Sequence, residues 1–357
     1  MYEELQVNSA TGPYQVRFEQ SKVNENLFPK HGSAIHYLVD ENIAGLYCDQ
    51  LHAILEMPST LIIKANEESK SLKKMLPIFE HLVKNGVRRD HSLVAIGGGV
   101  IQDITCFISS VYLRGVSWDF IPTTLLSQAD SCIGSKSSIN IENAKNILGT
   151  FYPPKSIVIF TDFLRTLDLR EIKSGIGEII KVHAIDGSDS FDVMAADYKM
   201  LESDSAVLLQ YIRGALEIKK RFIEVDEFDK GIRNIFNYGH SFGHAIEAAT
   251  QYAIPHGIAV SMGMDMANSI ASQRKLLPKK HFDRMHGVLS ENYAGYENTI
   301  IPFDLFINAL LKDKKNTSTS LGLVFAVGED AKIARVNLEL DATFINQCEF
   351  FLGSLKS

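Results

Sequence analysis

The chain has 357 residues, 45% hydrophobic and 22% charged, enough for one large domain or two ordinary ones. Its net charge of −7, with no long basic run, argues against nucleic acid as a main partner, yet a local cluster of Lys and Arg can still serve an anionic small substrate. Four scattered cysteines (Cys48, Cys106, Cys132 and Cys348), an N-terminus without a basic-then-apolar signal pattern and no apolar run of membrane length predict a soluble cytoplasmic protein.

In chain order, Ala34–Val39 and Ser59–Lys64 read as strands. Ser69–Asn85 carries Leu72, Met75, Leu76, Phe79 and Leu82 at helical spacing and stops at Gly86. Ser92–Ile96 is a compact apolar strand running into Gly97-Gly98-Gly99. Val100–Leu113 then reads as a buried helix, and Val116–Ile121 as a strand closed by Pro122. This alternation predicts an α/β domain with a Rossmann-like parallel sheet over residues 1–165. From about Leu167 the texture changes. Arg170–Ile185, Ala206–Glu224, Phe242–Ala253, Gly257–Arg274 and Phe303–Lys312 all read as helices, which predicts a mainly helical domain over 166–357.

Several stretches carry chemistry. In SLVAIGGGVIQD (92–103), three glycines between strand and helix leave bare N–H groups at a helix N-terminus, where phosphate binds; Asp103 sits just inside that helix, favoured there by its dipole. Residues 122–146 form a hydroxyl-rich segment with Asp130, Lys136, Lys145 and Asn146, the texture of a long polar binding loop. In SGIGEIIK (174–181), Glu178 and Lys181 share a half-buried helix face, so the carboxylate needs a partner: the lysine, or a metal. In FNYGHSFGHAIE (236–247), His240 and His244 are spaced i, i+4, and His256 follows beside Gly257. A Glu with two of these His and an open position would make a catalytic zinc site, and helix-packing or surface histidines are the plainer reading of any one of them. Lys219, Arg233 and Asn237 precede this cluster, and LKDKKN (311–316) adds a late basic group.

Taken together, GGGVIQD, YLRGV, PTTLLSQADS, GSK, KNILGTFYPP, LREIKSGIGEIIK, GIRNIFNYGHSFGHAIE, HG and DKKN run from about Tyr37 to Asn316. In order and spacing the chain resembles the 3-dehydroquinate synthases, members of the sugar-phosphate cyclases. The resemblance implies an NAD- and zinc-dependent lyase of the shikimate pathway, with cobalt suiting the same ligands. The family oxidises a hydroxyl of 3-deoxy-arabino-heptulosonate 7-phosphate with bound NAD, eliminates phosphate, reduces the ketone and closes a carbocycle. By motif, Glu178, His240 and His256 would be the metal ligands. His244, Lys136, Asn146, Asn237 and Lys315 would surround the substrate phosphate. Arg114 would reach the phosphate of a neighbouring subunit, implying a homodimer. Lys219 and Arg233 would hold the substrate carboxylate, with Lys181 nearby. Asp40, Glu67, Lys70, Gly98, Gly99, Asp103, Thr123, Thr124, Asp130 and Lys145 would line the NAD site, which makes the first domain NAD-binding and the second metal- and substrate-binding.

Three positions depart from the family's usual pattern. Gln102 stands for Gly in GGGVIQD, Ser135 for the second Gly of GGK, and Asn66 for the Gly before Glu67. Gln102 is expected to add bulk near the dinucleotide and Ser135 to stiffen the loop before Lys136. The competing readings are a cyclase for sedoheptulose 7-phosphate or glucose 6-phosphate, which lack the carboxylate; a metal-dependent alcohol or glycerol dehydrogenase, which would release NADH; and a non-catalytic NAD- and metal-binding relative.

Overall fold

A computed structural model describes residues 3–142, 144–311 and 320–355. The chain divides into two compact units, Met1–Asp168 with Lys219–Phe228, and Leu169–Ile218 with Asp229–Ser357. The segment Lys219–Phe228, which its position in sequence puts with the helical half, thus groups with the first unit.

The first unit is built on a seven-stranded sheet. Its strands are β1 (Glu3–Val7), β2 (Tyr14–Glu19), β3 (Ile35–Asp40), β4 (Leu61–Ile63), β5 (Ser92–Gly97), β6 (Ser117–Pro122) and β9 (Ser156–Phe160), while β7 (Ile139–Ile141) and β8 (Ala144–Leu148) form a separate hairpin. The sheet order is β1-β2-β9-β6-β5-β3-β4, with β1 antiparallel at one edge and the other neighbours parallel. Helices α1 (Glu41–Leu46), α2 (His52–Leu55), α3 (Leu72–Lys84) and α4 (Gly99–Val111) make the crossovers. Every residue of β5 is buried, as a strand covered on both faces requires. Val39, Val94, Ile96, Ile121, Val158 and Phe160 join Leu51 and Phe163 in the core.

Expectation and structure agree on the strand–helix alternation and differ at ends. The helix expected to Leu113 stops at Val111, because Leu113 and Arg114 adopt left-handed φ of 50° and 64°. The hairpin β1–β2 and the strand β9 lie outside that expectation.

The second unit comprises α5 (Leu169–Asp186), α6 (Ser188–Ala196), α7 (Tyr198–Ser203), most of α8 (Ser205–Ile223), α9 (His240–Ala249), α10 (His256–Gln273), α11 (Lys279–Asn292), α12 (Phe303–Leu311) and α13 (Ala342–Ser354). An antiparallel hairpin, β10 (Ser320–Val327) with β11 (Lys332–Glu339), joins these helices. Helix α10 is the central post, with every residue from Gly257 to Ala271 buried. The helix expected to reach Ala253 ends at Ala249, before the left-handed Gln251 and Tyr252. Among the described residues no helix is long and apolar enough to cross a membrane.

Candidate active site

In the first unit, the carboxyl edge of the parallel sheet gathers the residues expected around a dinucleotide. The strand order reverses between β3 and β5, and ligands of open α/β sheets bind at such a point. Asp40 ends β3, Gly98 and Gly99 follow β5, and Thr123 and Thr124 follow β6. Gly98 is the N-cap of α4 without a side-chain cap, and a Cβ there would stand 2.9 Å from Thr124 Cγ2. The loop therefore keeps bare amides at a helix N-terminus, a donor set that fits a diphosphate. Asp40 is buried and accepts from Asn42 N at 2.9 Å; burial pushes its carboxyl above the ordinary value.

Beside this edge lies a chain of charges. Lys70 Nζ is 2.7 Å from Asp103 Oδ2 and 3.9 Å from Glu67 Oε1, and Lys145 Nζ is 3.6 Å from Glu67 Oε1. Burial pushes Asp103 up to about 6 despite the ammonium beside it. Burial works against the Lys70 charge, yet Asp103 and Glu67 together raise its pKa. Asn140, which no motif singled out, donates to Glu67 Oε1 at 2.8 Å and accepts from Asn146 N at 2.9 Å.

The segment 122–146, expected as a long polar binding loop, has many of its polar residues in the interior. Thr123, Ser127, Gln128, Ser135, Ser137 and Asn140 are buried, and Ser127–Ser131 form one π-turn. Many of their donors are taken up by internal bonds, such as Gln128 Nε2 to the carbonyls of Pro122 and Phe160. Gln102 does not simply add bulk: its amide donates to Ser131 O at 2.6 Å and accepts from Ser131 Oγ at 2.7 Å. Lys219 Nζ lies 3.1 Å from Asp130 Oδ1 and also bonds the Asp130 carbonyl. Lys136 is exposed, Arg114 is exposed beyond the end of α4, and Asn146 accepts from Ser138 Oγ.

In the second unit, α5, α9 and α10 bring Glu178, Lys181, His240, His244 and His256 together. The glycines next to these residues permit it. A Cβ on Gly177 would lie 2.1 Å from Gly257 O, and one on Gly257 only 1.7 Å from Ser174 O, so α5 and α10 touch backbone to backbone. Gly239 starts α9 at φ +78°, and a Cβ there would meet Met264 Cγ at 2.5 Å. Glu178 beside Gly177 thus faces His256 beside Gly257.

Glu178 is 1% exposed. Its Oε1 is buried and takes no hydrogen bond of good geometry. It stands 3.4 Å from Nε2 of His256 and 3.5 Å from Nε2 of His240. Two ligands about 2.1 Å from a tetrahedral ion stand about 3.4 Å apart, so this donor set fits a zinc-like cation. Ligating atoms of His240, His244 and His256 all lie within 4.8 Å of one another, and on geometry His244 is an equal member of the cluster. Lys181 pairs with Glu178 Oε2, so the ion-pair reading of SGIGEIIK also holds, and its ammonium lies 5.6 Å from the centre of the Phe236 ring. Burial pushes Glu178 up, but Lys181, His240 and His256 outweigh it and hold the carboxyl well below its ordinary value. Burial, then Lys181, drives His240 well down. Burial would lower His256 too, but Glu178 and Glu247 outweigh it and raise it. Glu247, missed in the sequence, holds His256 Nδ1 at 3.2 Å through Oε2. A carboxylate on the second ring nitrogen fixes the tautomer that leaves Nε2 for a metal.

Arg233 is buried on the short helix Ile232–Asn237, where Asn237 Nδ2 donates to Asn234 O at 2.9 Å. Arg233 belongs to the second unit and Lys219 to the first. Lys315 lies outside the described residues.

Two family models cover most of the chain: 3-dehydroquinate synthase N-terminal over residues 60–174 and C-terminal over 175–316. A 3-dehydroquinate synthase of Clostridium tetani is 34% identical over 91% of this chain and 85% of its own. The chain belongs to the 3-dehydroquinate synthase family. A solved 2-epi-5-epi-valiolone synthase from Streptomyces hygroscopicus, with NAD+ and Zn2+ bound, is 26% identical at a TM-score of 0.83, over 96% of this chain and 97% of its own. A solved 2-deoxy-scyllo-inosose synthase, complexed with carbaglucose-6-phosphate, NAD+ and Co2+, shares the fold at a TM-score of 0.83 and 22% identity, over 98% of this chain and 100% of its own.

Proposed function

We propose that the protein catalyses the 3-dehydroquinate synthase reaction, the conversion of 3-deoxy-arabino-heptulosonate 7-phosphate to 3-dehydroquinate with loss of phosphate. The observation that carries this reading is the buried Glu178 facing His240 and His256 in a chain of this family. When bound, NAD supplies reversible oxidation of a substrate hydroxyl and zinc supplies Lewis acidity at that oxygen. Asp40, Glu67, Lys70, Gly98, Gly99, Asp103, Thr123, Thr124, Asp130 and Lys145 hold the dinucleotide in this reading. Glu178, His240 and His256 hold the metal. His244, Lys136, Asn146, Asn237 and Lys315 take the substrate phosphate, and Lys219 and Arg233 the carboxylate, with Lys181 nearby. A substrate with several negative charges needs such a set of cations in a site that excludes water.

A cyclase for sedoheptulose 7-phosphate or glucose 6-phosphate is the second reading, favoured by the fold shared with the two solved synthases. Arg233 separates the two. Its fork of donors suits a carboxylate, and Lys cannot reproduce it. Arg233→Lys is expected to lower kcat/KM for the heptulosonate phosphate by the equivalent of about 2–5 kcal/mol. The parent enzyme, given each sugar phosphate with NAD, should release phosphate from the heptulosonate alone and accumulate no NADH. Release from a neutral sugar phosphate instead would sink the reading.

The same reading includes a homodimer with Arg114 at the neighbour's phosphate. Leu72, Leu76 and Val83 are exposed along one face of α3, and Val111 and Leu113 are exposed just before Arg114. Phe79 of α3 stacks on Tyr112 at 6.3 Å, so these residues share one patch. An apolar patch of this kind suits a partner surface. Leu76→Lys should convert a sedimenting dimer to monomer; a parent protein that already sediments as a monomer would remove this part.

A further inference from the structure

One carboxylate outside the assigned site ties together three distant segments of the first unit. Glu227 Oε1 accepts from Ser9 Oγ at 2.6 Å and from Ser135 Oγ at 2.8 Å, and Oε2 accepts from Ala10 N at 2.7 Å. Ser135 is buried and left-handed, at φ +66°, a conformation that a residue with a side chain rarely adopts. Glycine would take this φ freely but would offer no hydroxyl. Ser135 therefore gives up backbone freedom and gains a charge-assisted bond to Glu227. Its carbonyl accepts from Tyr152 N at 2.7 Å, and the preceding Gly134 N donates to Tyr14 Oη at 3.3 Å. On the far side, Ser137 N donates to Thr150 O at 2.9 Å, and Thr150 N donates to Ser137 Oγ at 2.9 Å. Lys136 is held between these two fixed residues, its backbone bridged to Phe151 and its side chain exposed.

We propose that Glu227 is a positioning residue for the Lys136 ammonium and acts through the Ser135 hydroxyl. This rests on the reading of Lys136 as a ligand of the substrate phosphate. Losing the Glu227–Ser135 bond leaves the left-handed residue without its compensating contact, and Lys136 then samples positions away from the phosphate. The charge of Lys136 is untouched, so the effect falls on phosphate affinity before it falls on chemistry.

The test uses the NAD- and zinc-loaded full chain, with inorganic phosphate as inhibitor and the heptulosonate phosphate as substrate. Ser135→Ala and Glu227→Ala should each raise the phosphate inhibition constant and the substrate KM about 3–10-fold, with kcat within about twofold. Glu227→Gln keeps one oxygen that can accept from Ser135, and should lose less than Glu227→Ala. In a Lys136→Ala background Ser135→Ala should add almost nothing, because the residue it positions is gone. Full additivity there would assign Glu227 to the fold at large and overturn the proposal. So would unchanged phosphate constants in Ser135→Ala beside a raised constant in Lys136→Ala. A phosphate constant that Lys136→Ala itself leaves unchanged would instead refute the reading of Lys136, and the proposal with it. If Glu227→Ala does not fold, Ser135→Ala, which removes a single hydroxyl, decides alone.

Discussion

The carboxyl sheet edge of the first unit, proposed to hold the dinucleotide, and the histidine cluster of the second are made in opposite ways. At the sheet edge, strand order and backbone amides set the site, and its charges are already paired with each other: Lys70 with Asp103, Lys219 with Asp130, Lys145 with Glu67. An arriving ligand exchanges partners there without facing naked charges. In the second unit the donors ride on three helices whose backbones touch at glycines, and Glu178 Oε1 is buried facing two imidazoles. A region defined by backbone topology should tolerate side-chain changes. A region defined by helix contact should not.

The largest effect is expected where the second design is struck at its centre. Glu178→Gln removes the charge of the carboxylate that we propose holds the metal and that pairs with Lys181. Bound zinc, measured by elemental analysis, should fall below about a tenth of the parent's, and activity should fall about 1,000-fold. A variant with full metal content would show that the three histidines suffice.

Next comes the helix contact itself. Gly257→Ala puts a Cβ 1.7 Å from Ser174 O and should destabilise the protein by about 3 kcal/mol in urea unfolding, with loss of metal. Gly287 in α11 has nothing within 4 Å of its Cβ position, and Gly287→Ala should be neutral or stabilising by about 0.5–1 kcal/mol. Equal losses at the two positions would erase the contrast.

A comparable effect, confined to acid, is expected at His183. It is buried on α5 with Nδ1 bonded to Ser190 Oγ at 2.8 Å, and burial pushes it down to about 4. The unfolded chain therefore takes up a proton at higher pH than the folded one. The stability is fully present above about pH 6.5 and is lost as pH falls through about 4, up to about 3 kcal/mol. His183→Gln should flatten urea midpoints measured between pH 7 and 4.5. An unchanged slope would show that His183 does not govern it.

The smallest effect belongs to the first region. Lys145 and Glu67 are 35% and 43% exposed, so their pair adds little to folding. Lys145→Met should leave the Tm within about 2 °C of the parent's. A drop of 5 °C or more would mean that the sheet edge depends on its charges for stability.

The two regions also differed in how far the sequence disclosed them. The glycine run after an apolar strand announced the β5–α4 turn, because the backbone has few ways to pass from a buried strand into a helix. The histidine cluster was visible as residue types, but the contact that assembles it was not. Glu247 and His256 lie nine residues apart across a helix break, and no periodicity links them. The segment 122–146 read as a polar binding loop and not as interior because hydroxyls are equally at home around a ligand and in buried bonds. The hairpin β1–β2 lay outside the expectation although YQVRFE alternates apolar and polar residues as a half-buried strand does; its partner EELQV is only five residues with three polar. Gln102 seemed an obstacle in a chain of letters, whereas in three dimensions Ser131 engages both ends of its amide.

Lys219–Phe228 has a consequence for biogenesis. The first unit is discontinuous: this stretch returns to it only after the whole of Leu169–Ile218 has been threaded through the other. Glu227 closes on Ser9 and Ala10, near the very start of the chain. A polypeptide leaving the ribosome can form the parallel sheet early, but Ser9, Ala10 and Ser135 must wait for Glu227 until Leu169–Ile218 has been made. Contacts of such long sequence separation form slowly. A nascent chain arrested before residue 219 should hold the sheet and lack a finished Ser135 turn, so dinucleotide affinity and phosphate affinity would mature at different moments of synthesis.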